Sequence, residues 1–335
     1  MSLIQQFWYR VRPSHVVLYP LSLLFAAAAW ARRALYRAGW RRAQRLPVPV
    51  IVVGNITVGG TGKTPLVLWL CDFLRQRQYR PGIVSRGYGG SERLQQVFAN
   101  SDPLVAGDET VILARRSGLP VFVARDRVAA AHALLRAHPE CTVIVSDDGL
   151  QHYRLQRDIE IAVVDGNRGF GTGWLLPAGP LREPLARLES VDAVVVNGGD
   201  PASTSDRNRI RMRLQGKEFH NLIDSARRAL ASEFQQQPVH AIAGIGYPNR
   251  FFETLRSLGL TFRAHAFPDH FRYRPQDLAF VGDQVLLMTE KDAVKCAAFA
   301  RENWWFLPVE VELDPALGQL VLAKLSSVLH GRKTA

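Results

Sequence analysis

Gly54-Asn-Ile-Thr-Val-Gly-Gly-Thr-Gly-Lys-Thr-Pro65 follows the apolar run 48–53 and precedes an apolar-periodic segment, residues 66–74. Strand, glycine loop, helix is the order of a phosphate-binding loop. Glycines let backbone N–H groups turn inward on a phosphate, and the helix N-terminus behind them adds partial positive charge. The spacing assigns Gly59, Gly60, Thr61 and Gly62 to the phosphate cradle, Lys63 to the terminal phosphates and Thr64 to a nucleotide-bound Mg²⁺. Thr57 stands where the usual pattern has its first glycine. The alternative is a glycine-rich turn that binds nothing, but Gly-Lys-Thr-Pro opening a helix behind a buried strand has few other uses.

Outward from this loop, residues 47–202 alternate short β-branched runs (48–53, 82–85, 121–124, 142–146, 159–164, 193–196) with helix-length segments. This predicts an α/β, P-loop NTPase-like domain, a mostly parallel sheet with helices on both faces. Such sheets bind ligands at the carboxyl ends of their strands. Residues 203–237 read as a linking element in which Arg209-Ile-Arg-Met-Arg-Leu214 alternates as a half-exposed strand does. Past Gln235-Gln-Gln-Pro238, strands at 239–243, 261–266, 285–288 and 305–311, a helix at 250–258 and a closing helix from 315 to about 329 predict a smaller C-terminal α/β domain, 238–335.

The formal charge of +12 and pI near 10.1 suggest nucleic acid, but the excess is local. Residues 1–46 hold eight arginines and no acidic residue, whereas the other 289 residues carry 34 basic and 30 acidic groups. Those arginines flank an apolar run, 16–30, and an apolar run beside basic residues points to a membrane surface rather than to nucleic acid. Fifteen helical residues rise roughly 22 Å against a hydrocarbon core of about 30 Å, so the segment is short for a span. Two arrangements follow: a helix lying in one leaflet, or a crossing with Arg32 and Arg33 snorkelling to the interface. Either way, the six arginines after the run favour a cytoplasmic body. A cleaved signal peptide would suit Ala26–Ala29 but not the arginine cluster directly behind, nor a loop that needs cytosolic ATP. Cys71, Cys141 and Cys296 are widely spaced and odd in number, which indicates neither a disulfide framework nor a zinc site.

Four further clusters carry chemistry. Cys141-Thr-Val-Ile-Val-Ser-Asp-Asp-Gly149 ends an apolar strand in paired carboxylates, placing Asp147 and Asp148 beside a phosphate-bound Mg²⁺. Asp108 in Gly107-Asp-Glu109 precedes a helical run and fits either an N-cap or a catalytic role. His270 in Phe267-Pro-Asp-His-Phe-Arg-Tyr273 stands at a strand end, and a lone histidine there is open to a structural or a functional role. The glycine- and proline-punctuated loop 165–184 is long for a compact domain and too rich in aromatic residues and leucine for disorder. Its Arg182-Glu183 pair is either functional or a solvated charge pair.

Taken together, these segments resemble the tetraacyldisaccharide 4′-kinase family of lipid A biosynthesis over nearly the whole chain. The resemblance rests on the glycine loop, Ser85-Arg-Gly-Tyr-Gly89, Gly107-Asp-Glu109, Ser146-Asp-Asp-Gly-Leu-Gln-His152, Leu175-Leu-Pro-Ala-Gly-Pro-Leu-Arg-Glu-Pro184, Asp269-His270 and Met288-Thr-Glu-Lys-Asp-Ala-Val-Lys295. It implies ATP-dependent phosphorylation of the 4′-hydroxyl of a lipid-linked glucosamine disaccharide 1-phosphate at the cytoplasmic face of the bacterial inner membrane. By motif position, Asp108 resembles the family's catalytic aspartate, paired with His270; Lys63, Thr64, Asp147, Asp148 and Glu183 resemble nucleotide and Mg²⁺ ligands; and Arg182 would lie near the transferred phosphoryl group. Thr172 and Phe271 depart from the family pattern, where asparagine and histidine are usual. A phosphate contact is implied from Arg125 or Arg127. With Asp108 and His270 in different domains, domain closure is expected to assemble the site. The rival function is a membrane-associated P-loop ATPase or GTPase switch with no lipid acceptor, a third is a nucleotide-binding scaffold without turnover, and Asn197-Gly-Gly-Asp200 lies where some GTP-binding proteins read guanine, without their lysine.

Overall fold

The computed structural model describes residues 8–9, 15–199 and 209–333. After an N-terminal helix, α1 (His15–Arg37), the chain forms β1 (Val50–Gly54), α2 (Lys63–Gln76), β2 (Pro81–Ser85), β3 (Gln95–Val97), α3 (Asp108–Ser117), β4 (Val121–Val123), α4 (Arg127–Ala137), β5 (Val143–Asp147), β6 (Ile159–Asp165) and β7 (Ala193–Asn197). Next come β8 (Arg209–Gln215), β9 (Glu218–Asn221), β10 (Arg228–Leu230), β11 (Val239–Ala243), α5 (Pro248–Ser257), β12 (Arg263–Ala266) and β13 (Val285–Thr289). α6 (Glu290–Cys296), β14 (Trp304–Leu307), β15 (Glu310–Leu313) and α7 (Ala316–Lys333) close the chain.

These strands form two sheets. The larger has nine strands in the order β15-β8-β7-β6-β1-β5-β2-β4-β3, parallel except for the two edges, β15 and β3. β1 lies at its centre, with Val53 opposite Asp147 on one side and Ile161 on the other. Successive side chains of a strand point to opposite faces, so each face has its own core. Ile51 and Val53 pack with Leu66 and Leu70 of α2 and Val111 of α3, while Val50 and Val52 pack with Ala131 and Leu134 of α4. Strands covered on both faces are continuous β-branched runs rather than alternating ones, and this is why β1 is legible in the sequence.

The smaller sheet has six strands, β10-β9-β14-β13-β11-β12, with α5 supplying Phe251, Phe252 and Leu255 to one face and α6 supplying Ala293 and Cys296 to the other. Two readings of the sequence change here. The segment read as a linker contributes β8 to the larger sheet and β9 and β10 to the smaller. The run 305–311, read as one strand, is two. Pro308 has no N–H to continue a ladder, and beyond it β15 pairs antiparallel with β8 in the larger sheet. α7 follows, burying Leu317, Val321 and Leu325 in the α2 face of the larger sheet. All three cysteines are free and buried.

α1 packs on the long loop after β6. Ser22 Oγ donates to Leu175 O at 2.8 Å, His15 and Tyr19 meet the Trp174 ring, and Trp8 Nε1 donates to Pro177 O at 2.9 Å. Val17, Leu21, Leu24 and Trp30 remain exposed. Among the described residues no helix is long and apolar enough to cross a membrane, so the crossing arrangement finds no support.

Candidate active site

The phosphate loop is braced by Asn55 from within the stretch and by Asn197 and Arg168 from far along the chain. Gly62, at φ +94°, caps α2, and a Cβ there would stand 2.5 Å from Asn197 Nδ2, which donates to Thr61 O at 3.0 Å. Arg168 Nη2 donates to Gly60 O at 2.9 Å, and Asn55 Nδ2 to Gly59 O at 3.3 Å. These bonds take up carbonyls of the loop, leaving its N–H groups to a phosphate. From the far side, Val58 N donates to Pro180 O at 2.8 Å and Arg182 N to Ile56 O at 2.7 Å, so the proline-rich loop is stitched to the phosphate loop.

That stitching brings Arg182 to the end of β5. Arg182 Nη1 lies 3.2 Å from Asp148 Oδ2, Lys63 Nζ lies 3.4 Å from Asp148 Oδ1, and Arg127 Nη2 donates to Asp148 O at 3.0 Å. Asp148 has φ +47°, a left-handed turn that aspartate tolerates and that swings its carboxylate toward these cations. Burial alone would raise its pKa; Lys63, Arg182 and Arg127 outweigh that and hold it well below the ordinary carboxylate range. Its neighbour behaves oppositely. Asp147 is 1% exposed, and burial, with Glu109 and Asp148 adding, pushes it up to about 7. Ser85 Oγ donates to its Oδ2 at 3.2 Å, while its buried Oδ1 has no hydrogen-bond partner among the described residues. Between the two arginines left open by the sequence, Arg127 is the buried one at this cluster and Arg125 is exposed.

An orphaned carboxylate oxygen beside a phosphate loop suits a divalent cation. Thr64, one residue behind Lys63 in the first turn of α2, and the Asp147–Asp148 pair fit a Mg²⁺ that takes one or two carboxylates and completes its shell with phosphate and water. Among the described residues no three His, Cys, Asp or Glu side chains gather as a protein-only metal cage. Glu183 is 4% exposed and engaged by protein: Tyr153 OH donates to its Oε1, Gln151 Nε2 to its Oε2 at 3.3 Å, and Arg187 Nε lies 3.5 Å away. Burial, then Glu183, pushes the Tyr153 phenol up to about 12, so it remains a donor.

The second constellation forms where the two sheets meet. Asp108 opens α3, 4% exposed, with Oδ1 accepting from Glu109 N at 2.8 Å and Oδ2 lying 3.1 Å from His270 Nδ1. Burial would raise its pKa, but His270 and Lys291 lower it further, below the usual aspartate value. His270 sits in a turn at φ +57° after β12, with Tyr88 edge-on to its ring at 5.2 Å. A Cβ on Gly246, in the turn after β11, would lie 3.3 Å from both Asp269 Oδ2 and Gly60 N, so the Asp269–His270 turn and the phosphate loop share one cleft. Asp108 and His270 already touch; closure of one domain on the other is not needed to join them.

A family model described as tetraacyldisaccharide-1-P 4'-kinase matches residues 14–326. The chain belongs to this family. It is 52% identical over 326 residues to the tetraacyldisaccharide 4'-kinase of Nitrosococcus oceani, covering 97% of this chain and 94% of that one. It is 51% identical over 328 residues to that of Methylobacillus flagellatus, covering 98% and 97%. Its structure is similar to a crystal structure of LpxK from Aquifex aeolicus in complex with ATP, with a TM-score of 0.76, 28% identity and coverage of 93% of this chain and 99% of that one.

Several residues that build this kinase-family site are not marked for that part by the sequence motifs, and Tyr153 stands just outside them. Asn197, set beside a guanine-reading position by sequence, spends its amide on Thr61 O; Asp200 lies outside the described residues. Gln151 and Tyr153 hold Glu183, and Lys291 reaches the Asp108 pair. Asp165, closing β6, accepts from Arg168 Nε at 2.8 Å and pairs with Arg250 of α5, tying the phosphate loop to the smaller sheet. A signal was available for Asp165 and Lys291, since both stand at or just past the carboxyl end of a buried strand.

Proposed function

We propose that this chain phosphorylates the 4′-hydroxyl of a tetraacylated glucosamine disaccharide 1-phosphate with ATP, at the cytoplasmic face of the inner membrane. The observation that carries the reading is the shared cleft: Asp108 with His270 on one side, the phosphate loop with Lys63, Arg127 and Arg182 on the other. The loop amides and Lys63 bind the triphosphate, and Arg182 faces the γ-phosphoryl group, where charge accumulates on the equatorial oxygens of a loose transition state. Asp108, ionised and held by His270, takes the proton of the acceptor hydroxyl. The acceptor oxygen bonds to the γ-phosphorus, the bond from that phosphorus to the bridging oxygen breaks, and ADP leaves. When bound at Thr64, Asp147 and Asp148, with Glu183 assigned by motif to the same ion, Mg²⁺ supplies neutralisation of phosphate charge. α1 keeps the enzyme at the surface from which its acylated substrate never departs.

Following labelled γ-phosphate tests the proposal. Transfer to the glycolipid in detergent micelles is the expected outcome; release as free phosphate alone, at the same rate with and without glycolipid, would leave the ATPase-switch reading in its place.

A further inference from the structure

Arg168 stands in the turn after β6, 108 residues from Gly60 in the chain, and its side chain is 6% exposed. Its Nε donates to Asp165 Oδ2 at 2.8 Å and its Nη2 to Gly60 O at 2.9 Å, and Nη1 lies 3.3 Å from where a Cβ on Gly59 would stand. Two tyrosine rings lie against the guanidinium, each with its centroid 5.7 Å from Cζ: Tyr9, from the segment before α1, and Tyr247, from the turn that opens α5 in the smaller domain. We propose that Arg168 is a positioning residue for ATP: it fixes the Gly60–Thr61 peptide with its N–H toward the phosphates, and Tyr9 and Tyr247 hold it there, so that nucleotide affinity depends on a docked N-terminal segment.

A trans peptide points its C=O and N–H in opposite directions. Arg168 engages the Gly60 carbonyl and so leaves the Thr61 N–H to the phosphate side. Gly59 and Gly60 offer little steric resistance to a flip of that peptide, so a bond from outside the loop has to hold its orientation. Arginine suits the task because its guanidinium is planar and forked: one nitrogen takes the carboxylate, another takes the carbonyl, and the ring faces of the tyrosines attract the delocalised charge. Asp165 is 3% exposed, takes the Asn167 and Arg168 amides on Oδ1 at 3.1 and 3.2 Å and pairs with Arg250, so the carboxylate that aims Arg168 is itself fixed. Arg250 Cζ also lies 6.0 Å from the Tyr247 ring centroid, which steadies that ring from α5. On the other side, Trp8 Nε1 donates to Pro177 O at 2.9 Å and Trp8 O accepts from Thr172 N at 3.0 Å, both partners belonging to the loop that carries Arg168. Burial raises the Tyr9 phenol above its ordinary pKa against the opposing pull of Arg168, with Asp165 adding, so the ring facing the cation is neutral.

The inference rests on the reading of the glycine loop as the ATP site, and the experiment separates the two. The dissociation constant of a fluorescent ATP analogue with Mg²⁺ is measured on the full-length enzyme in detergent micelles, beside melting temperature and glycolipid turnover. The variants are Arg168→Met, Tyr9→Leu, Tyr9→Phe, Tyr247→Leu and the double variant Arg168→Met with Tyr9→Leu. Arg168→Met is expected to weaken nucleotide binding about 10- to 100-fold, as the loss of a hydrogen bond from a charged donor does, and to raise KM for ATP in step while kcat at saturating ATP stays within about threefold. Tyr9→Leu keeps buried apolar volume but removes the π face, and it weakens binding about 3- to 10-fold; Tyr247→Leu gives a similar loss. Tyr9→Phe keeps the face and binds as wild type does. The double variant binds no more weakly than Arg168→Met alone, because Tyr9 acts through Arg168. Wild-type affinity in Arg168→Met, Tyr9→Leu or Tyr247→Leu overturns the proposal. An equal loss in Tyr9→Phe and Tyr9→Leu overturns it too, since that describes plain packing, as does a double variant in which the two losses add in full. If Arg168→Met fails to fold, the contrast between Tyr9→Leu and Tyr9→Phe decides. A wild-type enzyme that binds no ATP analogue removes the reading of the glycine loop and the proposal with it, whereas normal binding by both wild type and Arg168→Met removes the Arg168 proposal alone.

Discussion

Asp147 and Asp148 are adjacent, equally acidic by type and driven in opposite directions by what surrounds them. Asp148 meets three cations, whereas the buried Asp147 carboxylate has Ser85 as its one hydrogen-bond partner among the described residues. A carboxylate whose pKa rises on folding contributes stability that is complete below its unfolded value and is lost as pH climbs through its folded value, here from about 3.8 toward about 7. Asp147→Asn should therefore melt above wild type at pH 8, on the order of 5 °C, with the gap closing by pH 5; thermal melts at the two pH values without Mg²⁺ check this. The same substitution should abolish Mg²⁺-dependent turnover, a stability gain at the expense of function. Asp108→Asn should lower kcat by about 10²- to 10⁴-fold while ATP affinity, read by a fluorescent analogue, stays within about threefold. Residue chemistry at these positions was visible in the motifs because glycine loops and strand-end carboxylates have few other uses. Partners were not visible: nothing in Asn197 or Tyr153 taken alone says that one braces Thr61 and the other Glu183.

At the level of the element, α1 has one face packed on protein and one left exposed. His15 and Ser22 are buried against the loop after β6, and Val17, Leu21 and Leu24, at spacings of four and three, form an apolar stripe facing away from it. The same loop is hydrogen-bonded to the phosphate loop, so the surface helix and the nucleotide site are two contacts apart. Replacing Leu21 and Leu24 together by glutamate should lower partitioning into anionic vesicles by about 30- to 150-fold, at about 2 to 3 kcal/mol for the pair, while leaving the melting temperature and ATP affinity unchanged. Vesicle sedimentation with a melt on the same sample measures both, and a parallel fall in melting temperature would mean that the stripe packs on protein. β1, β5, β6 and β7 were legible as elements because they are buried on both faces and read as mainly apolar runs, with Glu160 the one charged residue in their interiors. β3, β9 and β10 were not: each has three or four residues, and their partners rather than their sequences make them strands.

Across the whole molecule, the chain leaves the larger sheet after β8, builds the smaller one and returns with β15 and α7. The C-terminal helix thus supports the nucleotide domain, although it follows the smaller sheet in sequence. Leu325→Ala, removing a fully buried side chain from the α2 face, should cost about 2 to 5 kcal/mol and weaken ATP binding in the same urea range; a melt that spares the nucleotide site would place α7 elsewhere. The same return path explains how Arg116 of α3 reaches both Glu290, at 3.2 Å, and Val309 O, at 2.9 Å, and so helps lock the two sheets at the angle that joins Asp108 to His270. By itself the sequence determined the phosphate loop, the parallel sheet around it, the basic apolar N-terminus and the family, because periodicity, glycine placement and charge are local properties of a chain. Only the tertiary structure decided which sheet each late strand joins, that Lys291 meets Asp108 and His270, and that Asp147 and Asp148 titrate apart. Pairing, contact and burial are relations between segments distant in sequence, and their energies exist only once the chain has closed on itself.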